Sequence, residues 1–116
     1  MGIIDWFKAP AAPSRREQLE AAVIAALRSV FDPEIPVNIY DLGLIYELDV
    51  ASDGNVDIRM TLTAPGCPVA GTFPGTVAAA VRAVEGVTEV NVELVWEPPW
   101  SPGLMSEAAR LQLGML

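Results

Sequence analysis

The sequence predicts a small α+β domain in which helices pack on a three-stranded mixed sheet. Two alternating apolar runs, IYELDV and VDIRMTL, flank Asp53-Gly54, a strong signal for a β-hairpin. A helical stretch then leads to a third alternating run, VTEVNVELVW, as in a strand-helix-strand crossover. The predicted order is therefore helix, strand, strand, helix, strand, helix.

The first helix is predicted over residues 14–31. Ser14 followed by Glu17 is the signature of a capping box, in which the two residues satisfy each other's backbone N–H groups. Apolar residues then recur at helical spacing: Leu19, Val23, Ala26, Leu27 and Val30. Asp32 precedes Pro33, which disfavours helical backbone, so the chain leaves the helix there.

The three strands are each predicted to have one apolar face. Gly54 supplies the positive φ that the tight turn between the first two strands requires. Alternation assigns these residues to the apolar faces: Tyr46, Leu48 and Val50; Val56, Ile58, Met60 and Leu62; Val90, Val92, Leu94 and Trp96.

The alanine- and valine-rich stretch over residues 73–85 predicts the second helix, with Gly86 as its stop. Pro74-Gly75 leaves two alternatives for its start. The helix either runs from Pro68 with a defect or begins again near Thr72.

A last short helix is predicted between Ser106 and Gly114, after the proline-rich connector EPPWSPG. Residues 1–13, which end in APAAP, are expected to be a flexible extension. Residues 14–116 are expected to form one domain.

The composition restricts the class of protein. The 116 residues are 52% hydrophobic, yet no apolar stretch reaches membrane-spanning length, so we expect no membrane insertion. Seven Lys and Arg against fifteen Asp and Glu give a net charge of −8, which opposes binding to nucleic acid. One cysteine and a start, MGIIDWFKAP, without an export signal favour the cytoplasm.

Cys67, the only cysteine, is the candidate functional residue. It lies between Gly66 and Pro68 in TLTAPGCPV, where a strand pattern breaks just before a helical one. If Cys67 caps that helix, the helix dipole lowers the thiol pKa and makes the thiolate a better metal ligand or nucleophile. The alternative is an inert, buried cysteine.

The sequence lacks the residues that several classes of enzyme need for catalysis. With no histidine, a Cys-His nucleophile pair is impossible, and there is no C-x-x-C dithiol or glycine-rich phosphate loop. We therefore expect a protein that is not an enzyme. Asp32, Glu34 and Asp41 are either oxygen ligands or turn and cap residues.

Four segments, DPEIPVNIYDLGLIYEL, MTLTAPGCP, VELVWEPPWSP and LMSEAARLQLG, resemble in their order the SufT-type iron-sulfur assembly factors, the MIP-eighteen or metal-sulfur cluster biosynthesis family. The resemblance covers about residues 19–116. It implies a fold related to the C-terminal domain of NifU, a role in maturing iron-sulfur proteins and a reactive cysteine at Cys67. It also implies a signature loop, residues 32–43, near that cysteine.

The resemblance implies two sets of site residues. In the signature loop they are Asp32, Pro33, Glu34, Asp41, Leu42 and Gly43. In the cysteine loop, residues 61–68, they are Thr61, Thr63, Pro65, Gly66 and Pro68 around Cys67.

One thiolate cannot hold an iron-sulfur cluster, which normally takes four. Any cluster or iron is therefore expected to be transient, contacted by Cys67 and shared between chains, as in a homodimer. The expected partners are the iron-sulfur assembly machinery and client apoproteins. Three alternatives stay open: a thiol-redox protein using Cys67, a PaaD-like maturation factor for one oxygenase, and a pure binding adaptor in which Cys67 is structural.

Overall fold

A computed structural model describes residues 13–64 and 68–115 of the chain. Strands β1 (Ile45–Val50), β2 (Asn55–Met60) and β3 (Glu89–Leu94) form one sheet in that spatial order. β1 is antiparallel to β2, and β2 is parallel to β3. The predicted α+β architecture with a mixed sheet is confirmed.

The helices occur in the gaps between and around these strands. In chain order they are α1 (Arg15–Leu27), α2 (Ile39–Leu42), α3 (Phe73–Arg82) and α4 (Glu107–Gln112). Two short 3-10 helices, Pro68–Gly71 and Pro102–Leu104, precede α3 and α4. The predicted N-terminal extension, apart from Pro13, lies outside the described residues.

The start of α1 is confirmed and its predicted end is wrong. The Ser14 hydroxyl accepts a hydrogen bond from the Glu17 N–H, and the Glu17 carboxylate accepts one from the Ser14 N–H, both at 3.1 Å. The helix stops at Leu27 rather than at residue 31. The reason is a competing pairing: the Ile39 N–H donates to the Val30 carbonyl at 2.8 Å, which keeps Val30 buried outside the helix.

The short helix α2 is a difference from the sequence prediction, in which residues 32–43 form a loop. The Asn38 side chain caps it by accepting from the Asp41 N–H, and Gly43 ends it with a φ of 87°. An Asn three residues before an Asp, followed by Gly, is a pattern that could have revealed this single turn.

One face of the sheet packs against α1 and α3. Val50, Val56, Ile58, Met60 and Val90 are buried there with residues of both helices. Trp96 was predicted to continue this face, but β3 ends at Leu94 and Trp96 is 38% exposed. The Val95 N–H bonds the Met60 carbonyl, and the following prolines cannot extend the ladder.

The helix after the cysteine loop begins anew near Thr72, as the second of the two predicted alternatives has it. Pro68–Gly71 forms a separate 3-10 turn, and α3 begins at Phe73 with Thr72 as its N-cap residue. α3 ends at Arg82, three residues short of the prediction, and Gly86 follows with a φ of 97°. In the hairpin, Gly54 has a φ of 98°, as the turn between β1 and β2 required.

Candidate functional site

The signature loop and the cysteine loop lie at the same end of the sheet. In the ladder Ile45 at the start of β1 pairs with Met60 at the end of β2, and Met60 pairs with Leu94 at the end of β3. The signature loop therefore enters the sheet where the cysteine loop leaves it. The proline-rich connector after β3 leaves from this end as well.

A hydrogen bond joins the two chain segments where the loops meet the sheet. The Thr61 N–H, at the start of the cysteine loop, donates to the carbonyl of Leu44, the residue that follows the signature loop, at 2.9 Å. Pro65, Gly66 and Cys67 lie outside the described residues. The structure thus brings together the signature loop and the first part of the cysteine loop.

Asp32 forms a tight turn at the start of the signature loop. Its side chain is only 8% exposed, and Oδ1 accepts the Glu34 N–H at 3.2 Å. Its own N–H donates to the Val37 carbonyl at 3.1 Å. These bonds turn the chain at Pro33 and leave the Glu34 side chain exposed.

Asp41 is held at the other end of the loop. Its Oδ2 accepts from the Asn38 side-chain amide at 2.8 Å and lies 3.8 Å from Nε of Arg28. The Arg28 guanidinium also lies 4.8 Å from the centre of the Tyr40 ring. Asp41 therefore serves as a partner in a helix cap, and sequence analysis missed its contacts Asn38 and Arg28.

Leu42 and Gly43 anchor the loop in the fold. Leu42 is fully buried in the core, and its carbonyl accepts the Trp100 indole N–H at 2.8 Å. A side chain at residue 43 would bring its Cβ within 2.4 Å of the Leu104 carbonyl oxygen. Only glycine fits this contact, and only glycine adopts its positive φ without strain.

Two threonines lie in the described part of the cysteine loop. Thr61 is fully buried, and its hydroxyl has no hydrogen-bond partner among residues 13–64 and 68–115. Thr63 is half-buried. A buried hydroxyl normally finds a partner, so Thr61 is the exception among the buried side chains of the described residues.

The segment directly after the cysteine is a short turn rather than an α-helix. Pro68–Gly71 forms a four-residue 3-10 helix, and the first residue of α3 is Phe73. Cys67 itself lies outside the described residues, so the effect of a helix N-terminus on its thiol stays a prediction.

The described residues contain no preformed metal centre. Across residues 13–64 and 68–115, no three Asp, Glu, His or Cys side chains are grouped closely enough to hold a metal ion. In the same ranges no helix is both long enough and apolar enough to cross a membrane.

Comparison with known proteins identifies the family. Residues 20–93 match the model of a family described as iron-sulfur cluster assembly protein, and the chain belongs to that family. A Porphyromonas gingivalis Fe-S protein maturation auxiliary factor is 52% identical over 85% of this chain and 94% of its own length. The Staphylococcus aureus Fe-S protein maturation auxiliary factor SufT is 35% identical over 74% of this chain and 98% of its own.

A solved structure supports the fold. The crystal structure of a Bacillus anthracis domain of unknown function, DUF59, matches with a TM-score of 0.78 and 39% identity. The match covers 87% of this chain and 96% of that one. The resemblance to the SufT-type family is confirmed.

Proposed function

We propose that this protein is an auxiliary factor for the maturation of iron-sulfur proteins, in a transfer or adaptor role. It acts through Cys67 and protein contacts rather than as an enzyme. The observation that carries the proposal is that the signature loop enters β1 at the end of the sheet where the cysteine loop leaves β2. At this junction the Thr61 N–H donates to the Leu44 carbonyl at 2.9 Å. The names of the two relatives, both Fe-S protein maturation auxiliary factors, support the same role.

The cluster is cargo in this proposal. The chain has one cysteine, and a cluster normally takes four thiolates. Two chains supply two of them, and the other ligands come from glutathione, a client protein or an exposed carboxylate such as Glu34. Incomplete ligation by the factor makes release to a client easy, which suits transfer better than storage.

The partners are other proteins of iron-sulfur assembly and client apoproteins, met in the cytoplasm. The outer face of the sheet supports the exclusion of nucleic acid, because its exposed side chains are mostly acidic. These are Glu47, Asp49, Asp57, Glu89 and Glu93, with Arg59 as the basic residue among them. Such a face repels a phosphate backbone.

Anaerobic reconstitution with iron and sulfide tests the role of Cys67. The wild-type protein is expected to develop the visible absorbance of an iron-sulfur cluster, and Cys67→Ser is expected to lack it. The matched control is Cys67→Ser combined with Ser101→Cys, which moves the single thiol to an exposed position that makes no side-chain cap bond. Equal absorbance in this control would show non-specific binding and contradict the proposal.

Two further measurements separate the alternatives. A thiol-redox protein would form no cluster but would accumulate a sulfenic acid or mixed disulfide at Cys67, detected by mass spectrometry after peroxide treatment. A pure adaptor would keep supporting a cluster-dependent reporter enzyme in cells when it carries Cys67→Ser. Loss of both cluster absorbance and client maturation in Cys67→Ser is the result we expect.

A further inference from the structure

Two of the four segments that define the family resemblance, VELVWEPPWSP and LMSEAARLQLG, belong to neither loop of the candidate site. After β3 the chain contacts the signature loop at its C-terminal end. The Trp100 indole N–H donates to the Leu42 carbonyl, and the Ser106 N–H donates to the Asp41 carbonyl, both at 2.8 Å. Both carbonyls belong to the last turn of α2, where a helix has no partners of its own for them.

Two other contacts extend this arrangement along the loop. Gly43 fits closely against the Leu104 carbonyl, and the Gln112 side-chain amide donates to the Pro36 carbonyl at 3.3 Å. The segment is also fixed where it begins, because the Tyr46 hydroxyl donates to the Pro98 carbonyl at 2.7 Å. We call residues 98–112 the C-terminal clasp.

The clasp contacts both the loop and the hydrophobic core, against which Trp100 also packs. Met105 and Ala109 are its buried apolar residues, whereas Leu104 and Leu111 are 44% and 66% exposed. α2 itself has only four residues and is too short to be stable alone. Its conformation therefore depends on groups supplied from outside the loop.

We propose that the C-terminal clasp fixes the conformation of the signature loop for iron-sulfur maturation, with Trp100 as its main positioning residue. The proposal rests on the function proposed above. Trp100 is a better residue to replace than Ser106. The Ser106 side chain also caps α4 by accepting from the Ala109 N–H, so replacing it would disturb that helix as well.

The test compares Trp100→Phe with two controls in the full-length protein. Phenylalanine keeps an aromatic ring and removes the N–H donor. Trp96→Phe makes the same change at an exposed position, and Val81→Ala lowers the melting temperature through a buried residue of α3. Hydrogen exchange is measured at the amides of Leu42, Gly43 and Leu44, which donate within the loop to Asn38, Tyr40 and Ile39.

In Trp100→Phe these three amides should exchange roughly fivefold faster, the effect of losing one neutral hydrogen bond. The pH profile for alkylation of Cys67 should shift, because the Leu44–Thr61 bond connects the signature loop to the cysteine loop. Maturation of a cluster-dependent reporter enzyme, in a bacterial strain lacking its own auxiliary factor, should fall several-fold. Neither control should change the alkylation profile or maturation.

Unchanged amide exchange in Trp100→Phe would overturn the positioning role, whatever the function of the protein. Faster exchange with maturation and alkylation equal to those of Val81→Ala would also overturn it, because only stability would then be affected. A failure of the proposed function would give a different result: the Cys67→Ser variant would then support full maturation of the reporter enzyme.

Discussion

Glu34 differs from the other two acidic residues of the signature loop. Asp32 accepts a backbone N–H in a tight turn, and Asp41 accepts from Asn38 beside Arg28. These contacts give each of the two aspartates a structural role, so neither position requires a bound ligand to explain its acidic side chain. The Glu34 side chain is exposed, and we propose its carboxylate as the one of the three that meets an iron ion or a protein partner.

Replacing Glu34 separates function from stability. Because the side chain is exposed, Glu34→Gln should change the free energy of unfolding by no more than about 0.5 kcal/mol. Reporter maturation should nevertheless fall if the carboxylate is part of the site. The control is Glu107→Gln, an exposed position on α4. Equal maturation by both variants would restrict the signature loop to a structural role.

Replacing glycine by alanine should have opposite effects on stability at Gly43 and at Gly75. Gly43→Ala should lower the free energy of unfolding by about 1–3 kcal/mol, because its φ is 87° and the added Cβ meets the Leu104 backbone. Gly75→Ala should raise it by roughly 0.5–1 kcal/mol, because Gly75 is helical and has open space around it. Urea unfolding of both variants measures the difference. A harmless alanine at residue 43 would contradict the close packing of loop and clasp.

At the scale of elements, α1 illustrates how a local signal predicts structure. Ser14→Ala should lower the free energy of unfolding by about 1 kcal/mol, since it removes the cap. Ser101→Ala is the control, because Ser101 makes no side-chain cap bond. Equal melting temperatures for the two variants would show that the capping box contributes nothing.

The capping box also predicts a pH dependence. Hydrogen bonds from the Ser14 backbone, and then its side chain, lower the pKa of Glu17. A lowered pKa in the folded state stabilises the protein above the ordinary glutamate value of about 4.3, and the contribution is lost as the pH falls. Glu17→Gln should therefore be less stable than the wild type at neutral pH. The gap should narrow in melts as the pH falls below the ordinary glutamate range.

Elements with strong local signals were predicted well, and those that depend on distant contacts were not. The capping box, the hairpin glycine and the caps of α4 were all readable from neighbouring residues. The early end of α1 depends on the Ile39–Val30 bond, which periodicity cannot reveal. The short helix α2 is different, because its Asn38 cap and Gly43 stop are local signals that the prediction missed.

In the candidate site, too, local motifs were predictable from the sequence and contacts between distant residues were not. The two loops were predicted as motifs, and their convergence follows from the strand order. The contacts of Asp41 with Arg28 and of Leu42 with Trp100 join residues far apart in the sequence, so spacing alone could not predict them. Trp96 and Trp100 looked alike in the sequence, but one is 38% exposed and the other reaches the signature loop.

At the scale of the whole molecule, the signature loop and the described start of the cysteine loop lie at one end of a single sheet, where the connector to the clasp also leaves β3. The chain supplies one thiolate, and residues 13–64 and 68–115 contain no group of three potential metal ligands. Metal loading should therefore be coupled to association, because a complete ligand set needs more than one chain or an added thiol.

Sedimentation of the reconstituted protein under anaerobic conditions, followed at the absorbance of the cluster, tests the central claim most directly. We predict that the cluster sediments only with a dimer or larger species in the absence of added thiol. Cys67→Ser, treated identically, should carry none. A cluster on a strict monomer without added thiol, or an equal amount on Cys67→Ser, would contradict the account.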